Sequence, residues 1–180
     1  MKEKKSKGKG CIIAIVAIII IVGILATTGN KDDKPKKVND STETTENKQE
    51  VFNVGDTIEL KDLKVTINSV YKVESDNQFS QPKEGNQFLA VDCTLENISD
   101  KDQAVSSIMM FKVVDSDGRK CAYSLTGQTA ANAGQLDGTI GAGRKLTGVY
   151  VVEVEEGKTG LELEFDSSFI GSQKIVVKLN

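Results

Sequence analysis

The stretch QFLAVDCTLEN, residues 87–97, decides the fold. Leu89, Val91, Cys93 and Leu95 alternate with Ala90, Asp92, Thr94 and Glu96. A period of two is the signature of a strand with one face in a core and one in water. Working outward, the same alternation runs from Leu63 through Val65, Ile67, Ser69 and Tyr71 to Val73. It returns at Leu161, Leu163 and Phe165, and closes the chain at Ile175, Val177 and Leu179. Residues 106–115 and 145–154 read as strands of more mixed pattern, and residues 57–60 as a short one. No segment after residue 51 shows convincing helical periodicity.

The breaks between these runs are turn chemistry. Asp117-Gly118, Glu156-Gly157 and Gly85-Asn86 supply residues that tolerate positive φ, and residues 97–100 (NISD) form a polar turn. Seven short strands with frequent turn signals predict an all-β, antiparallel β-sandwich, with a barrel as the alternative. Three blocks, in this order, carry a resemblance: residues 87–97, FKVVDSDG at 111–118, and GAGRKLTG at 141–148 leading into VYVVEV. Together they resemble an immunoglobulin-like domain-of-unknown-function family found on membrane-anchored proteins and lipoproteins of Gram-positive bacteria. That family is related in fold to a secreted mycobacterial immunoprotective antigen. The resemblance spans about residues 52–178, with Ala142 where a proline is frequent and Val152 where a phenylalanine is common. It implies an immunoglobulin-like sandwich in an extracytoplasmic setting, and it brings no activity and no catalytic residues.

Residues 10–30 hold no charge, and residues 11–26 (CIIAIVAIIIIVGILA) are apolar throughout. As a helix, 21 residues rise about 31 Å, which matches a hydrocarbon core of about 30 Å. A single-pass transmembrane helix is therefore expected at 11–30, with a cleaved export signal, releasing a secreted domain, as the alternative. Residues 1–10 hold five Lys and form a basic cytoplasmic leader. Cys11 precedes the apolar run, so it is not placed to become a lipidated amino terminus. The remaining 170 residues carry 18 basic and 25 acidic groups, which argues against nucleic acid as a partner. Residues 31–50 hold 11 charges in 20 positions and read as a disordered stalk. Residues 51–180 are then the extracytoplasmic domain at the cell membrane.

Candidate chemistry is sparse. The absence of His removes Ser-His and Cys-His nucleophile pairs and every His-containing metal site. Cys93 and Cys121 are a candidate disulfide outside the cytoplasm, or two buried thiols. Asp115-Ser116-Asp117-Gly118 offers calcium-type oxygens, to which Asp100 and Asp102 could add, but lacks the spaced acids of an EF-hand loop; the same residues make a hairpin turn. Glu153, Glu155 and Glu156 could be imagined as acid and base, although acidic strand ends are usually solvated. Asn97-Ile98-Ser99 fits a glycosylation sequon as well as a turn. Residues 127–143 hold five Gly and read as a long loop. With residues 74–86 they are the expected contact surface, through Gln78, Gln81, Gln128, Asn132 and Gln135.

The expectation is a non-enzymatic, membrane-anchored binding module of the cell envelope, with no catalytic residues, cofactor or metal. Its partner would be an envelope protein, a glycan or a small ligand. An accessory or sensory subunit of a membrane complex is the alternative, and an envelope hydrolase a weaker one.

Overall fold

A computed structural model of the chain describes residues 36–37, 51–167 and 174–180. The expected leader and transmembrane segment, and all but two residues of the expected stalk, lie outside the described residues. Among the described residues no helix is long and apolar enough to cross a membrane.

Numbered in chain order, a six-stranded sheet runs β1 (Lys36–Lys37), β3 (Thr57–Glu59), β4 (Leu63–Val73), β5 (Asn86–Asn97), β10 (Lys145–Glu155), β8 (Ala122–Tyr123). A four-stranded sheet runs β2 (Val51–Asn53), β12 (Lys174–Lys178), β11 (Glu162–Asp166), β7 (Phe111–Val114). A small hairpin-like pair joins β6 (Gln103–Val105) to β9 (Gly138–Ile140). The inward side chains of both large sheets make one core. Phe52, Leu163, Phe165 and Val177 from the smaller sheet meet Ile58, Val65, Val91, Leu95 and Val152 from the larger. The molecule is a β-sandwich, as the alternation predicts.

Four rings bridge the sheets at one edge. Phe165 meets Phe111 edge-on at 5.0 Å, Phe111 stacks on Tyr150 at 5.7 Å, and Tyr150 stacks on Tyr123 at 5.3 Å. These offset and edge-to-face geometries suit the ring quadrupoles. Burial pushes the Tyr150 phenol up to about 12, with Tyr123 and Cys121 adding to the effect. Strand β7 then leaves its sheet through a turn at Asp115 and re-enters the other as β8. Gly118, at φ +75, closes that turn by donating its N–H to the Asp115 carbonyl.

Several expectations are corrected. Pairing is not wholly antiparallel, because β2 lies parallel to β12. Residues 106–115 are not one strand: Ser107–Met110 form the short helix α1 ahead of β7. Residues 127–143 are not one loop, since Leu125–Ala130 form helix α2 and residues 138–140 form β9. Ser124 caps α2 by accepting from the Gly127 N–H at 3.0 Å. The single alternation through residue 73 also fails. A bulge between Ile67 and Ser69 flips the pleat, so Val70 packs on the main core and Tyr71 is exposed. Past it, Val73, Phe88, Ala90, Val149 and Val151 build a second apolar cluster on the outer face of the larger sheet. Helix α2 packs over this cluster at Gly127, where a Cβ would come within 2.8 Å of Val151 and 2.9 Å of Phe88. Finally, Lys36–Lys37 pair with β3, so the expected stalk includes a strand.

Phe111 touches both sheets, so Phe111→Ala should lower stability by about 3–5 kcal/mol, read as a shifted urea midpoint. Gln128 in α2 is 4% exposed, and its Nε2 has no partner among the described residues. Gln128→Met should therefore raise stability, by about 1 kcal/mol, because it removes a buried donor that makes no hydrogen bond. An unchanged or lower midpoint would show that the amide is satisfied in solution.

Candidate recognition surface

Two ends of the sandwich can be told apart by register. At one, here the entry end, Lys36, Glu59, Lys64, Glu96 and Lys145 stand level across five strands. Both β1 and β2 run from this end into their sheets. The other, far end carries the β4–β5 connection, the turn after β7 and the end of β10. The twelve residues of β5 separate the two by about 36 Å.

The β4–β5 connection, residues 74–85, exposes Phe79 at 84% of its surface. Its backbone is braced from within. The Asn77 side chain accepts from the Phe79 N–H at 2.9 Å, and the Asn77 carbonyl accepts from the Ser80 N–H at 2.9 Å. Gln81 donates through Nε2 to the Ser75 carbonyl at 2.7 Å and the Asn77 carbonyl at 3.0 Å. Glu153 ties the loop to β10 by accepting from the Lys83 N–H at 3.1 Å and from Asn86 Nδ2 at 2.7 Å. Gly85, at φ +80, completes the return and accepts from the Glu156 N–H.

Asn86 and Glu153 also form one wall of a charged cleft of about 320 Å³. Its other wall is the turn after β7, with Asp115, Arg119, Lys120 and Cys121. Asp115 accepts from the backbone N–H groups of Asp117 and Arg119, each at 2.9 Å, and lies 3.4 Å from Arg119 Nε and 3.6 Å from Lys158 Nζ. The Arg119 N–H and its charge, with the Asp117 N–H and Lys158, hold the Asp115 carboxyl below the usual range, against a smaller effect of burial. Arg119 pairs closely with Asp117, which raises the guanidinium further. Burial, then the Asp115 charge, pushes the Cys121 thiol up. A carboxylate held ionised and a thiol held protonated are poorly tuned as general base and nucleophile near neutral pH.

The sequence-derived candidates are dispersed. Cys93 and Cys121 are both free thiols in this structure. Cys93 points into the core from β5 opposite Gly148, and burial pushes its thiol well up; Cys121 sits half-buried in the cleft beside Tyr150. Gln78 is exposed beside Phe79, but Gln81 is spent on its own loop. Gln128 is buried against the sheet rather than offered to solvent. Asn132, at φ +45, and Gln135 are exposed, and Gln135 bridges to Val149 at mid-sheet. Residues 127–143 continue to the entry end, where the Ile140 carbonyl accepts from Asn97. The two segments therefore do not form one surface.

Asn97 is fully buried and donates to the carbonyls of Lys101 at 2.7 Å and Ile140 at 2.8 Å. Its amide is a structural clamp, which overturns the sequon reading. The loop of Asp100 and Asp102 follows Asn97 at the entry end, away from Asp115 and Asp117 at the far end. Among the described residues no three Asp, Glu or Cys side chains cluster as metal ligands. Glu155 and Glu156 pair with Lys158 and Lys72 at 3.7 and 3.6 Å. Sequence reasoning missed Phe79, whose signal was an isolated aromatic within a polar turn-rich stretch.

Known proteins are similar to this chain in sequence or in fold. The uncharacterized protein YxkC of Bacillus subtilis is 28% identical over 134 residues, which cover 68% of this chain and 74% of YxkC. The crystal structure of the B. subtilis YjhA protein superposes with a TM-score of 0.54 at 21% identity, covering 72% of this chain and 99% of that one. YcdA of B. subtilis, named as a candidate lipoprotein, gives 0.52 at 17% identity over 66% of this chain and 37% of its own. The model of a domain of unknown function, DUF4352, matches residues 52–175, so the chain belongs to that family.

Proposed function

We propose that this protein is a membrane-anchored, extracytoplasmic recognition module of the cell envelope, built on an immunoglobulin-like sandwich, and that it is not an enzyme. Its partner is a protein or glycan surface met by the loop around Phe79. The observation that carries this reading is the pairing of exposure with a dense set of hydrogen bonds in that loop. Leaving a phenylalanine in water forgoes about 1.5–3 kcal/mol of burial. Four side chains, Ser75, Asn77, Gln81 and Glu153, nevertheless hydrogen-bond its backbone. A pre-ordered aromatic has little entropy left to lose on binding, which is the physics of an interface anchor.

Position supports the same reading. The apolar run of residues 11–26 precedes β1, and β1 begins at the end opposite Phe79. The naming of YcdA as a candidate lipoprotein agrees with an envelope setting. The cleft chemistry favours binding over turnover, since its carboxylates are occupied by hydrogen bonds and ion pairs.

The test is made in intact cells with the full chain. A photo-reactive phenylalanine analogue at position 79 should give a discrete covalent adduct, and the same analogue at exposed Thr147 on the sheet face should give none. Phe79→Ala should weaken capture of that adduct's partner roughly 30-fold, the scale of an interface anchor of about 2 kcal/mol. Its urea midpoint should stay within about 0.5 kcal/mol of the parent. Indistinguishable labelling from positions 79 and 147 would sink the reading.

A further inference from the structure

The Phe79 loop is bound to a row of residues on the outer face of the larger sheet. Val73, where β4 ends, lies opposite Phe88 of β5, and Phe88 lies opposite Glu153 of β10, so the three stand level. Glu153 is the acceptor that ties the loop to β10, and Phe88 is buried in the row between it and Val73. One row further in, Ala90 lies opposite Val151. Helix α2 closes over both rows. A Cβ on Gly127 would come within 2.8 Å of Val151 and 2.9 Å of Phe88, so the helix backbone rests directly on those side chains. On either side of the helix the chain is pinned to β10. The Ser124 N–H donates to the Val151 carbonyl at 2.9 Å, and the Val149 N–H donates to the Gly134 carbonyl at 2.9 Å. Residues 125–133 are thus a strap fastened at two neighbouring points, with Phe88 under its helix.

Between those points the strap is weakly fastened. Its six-residue helix buries only Gly127 and Gln128. Glycine brings no apolar side chain, and the Gln128 amide donor is buried without a partner among the described residues. Leu125, the largest apolar residue of α2, is 69% exposed, and only Ala130 and Ala131 join the cluster beneath, each partly buried. A segment with so few buried apolar contacts opens at lower free energy than the strands it covers. We infer that α2 opens as a unit while the sandwich stays folded, and that its closure regulates the Phe79 loop through Phe88 and Glu153. Directly opposed side chains lie about 5 Å apart at Cβ, so the room open to the Glu153 stem depends on where the Phe88 ring sits. Closed, the helix confines that ring, and Glu153 keeps its hydrogen bonds to Lys83 and Asn86. Open, Phe88 and Val151 meet water, the row relaxes and the loop loses its tie to β10. A partner that binds the tied loop therefore favours the closed strap, and closing the strap favours that partner to the same degree. That the coupling governs recognition rests on the reading of Phe79 given above.

Native-state hydrogen exchange on the full chain in detergent micelles reads the strap without any partner. The N–H groups of Gln128 and Ala131 donate to the Ser124 and Gly127 carbonyls at 2.8 and 2.9 Å. They should exchange about 100-fold faster than those of the β5–β10 ladder, with little dependence on urea. The Lys83 N–H, tied to Glu153, reads the loop. Gln128→Met removes the orphaned donor and should slow exchange at Ala131 and Lys83 together, by about fivefold. Gly127→Ala, whose Cβ has no room, should speed both and leave Leu163 of β11 unchanged. Strap amides that exchange only with global unfolding overturn the opening. Across the two variants, a change at Ala131 that Lys83 does not match overturns the coupling, and no change at Ala131 in either overturns the strap as a separate unit. Photo-crosslinking at position 79 reads recognition separately. Coupled exchange with no adduct at 79 refutes recognition alone, whereas an adduct with uncoupled exchange refutes the strap alone.

Discussion

The ring stack Phe165, Phe111, Tyr150 and Tyr123 is the constraint on which the rest of the structure depends. Two sheets that share only aliphatic contacts can slide, because dispersion is non-directional. Rings with preferred contact angles fix one lateral offset. This stack joins the free edge of the smaller sheet to the free edge of the larger, where β7 hands the chain to β8. That offset places the turn at residues 115–119 against the end of β10. The charged cleft, and the Glu153 brace of the Phe79 loop, follow from it.

A second constraint acts at the opposite scale. Gly148 and Gly134 approach so closely that a Cβ on Gly148 would lie 2.5 Å from the Gly134 oxygen. The Val149 N–H bonds to that oxygen at 2.9 Å. Without side chains at this crossing, residues 131–137 lie along β10 and cover an edge that would otherwise invite pairing by another chain. Two of the five glycines of residues 127–143, which resemble a flexible loop in composition, are instead points of close contact: Gly127 against Val151 and Phe88, and Gly134 against β10 at Thr147.

Legibility in the sequence followed the physics of each element. Strands β4, β5, β11 and β12 were visible because one face meets the core and the other water, which writes a period of two into the residues. The bulge at Ile67 was invisible because Ser69, Tyr71 and Val73 continue the same arithmetic after the pleat has flipped. Helix α2 escaped notice for a similar reason. Six residues cannot show a 3.6 period, and its Gly127 reads as a breaker although it is a contact. The candidate contact residues failed more often than the strands. A glutamine carries no mark of whether its amide faces water, as for Gln78, or its own loop, as for Gln81, or the protein interior, as for Gln128.

The two ends of the sandwich then differ in what they can do, and the difference is one of charge and support rather than of apolar content. Phe79 at the far end and Ile108 and Met109 in α1 are exposed, and exposure alone does not choose a partner. At the far end the aromatic projects from a hydrogen-bonded loop that carries Asp76 and Glu84, with Glu74 closed against Lys72 at 3.2 Å. At the entry end Lys36, Glu59, Lys64, Glu96 and Lys145 stand level across five strands, and the pairs Lys64–Glu59 and Lys145–Glu96 are closed at 3.3 and 3.2 Å. Closed pairs present little net field. The two ends of the sandwich thus differ in the charge and the bracing that surround their exposed side chains.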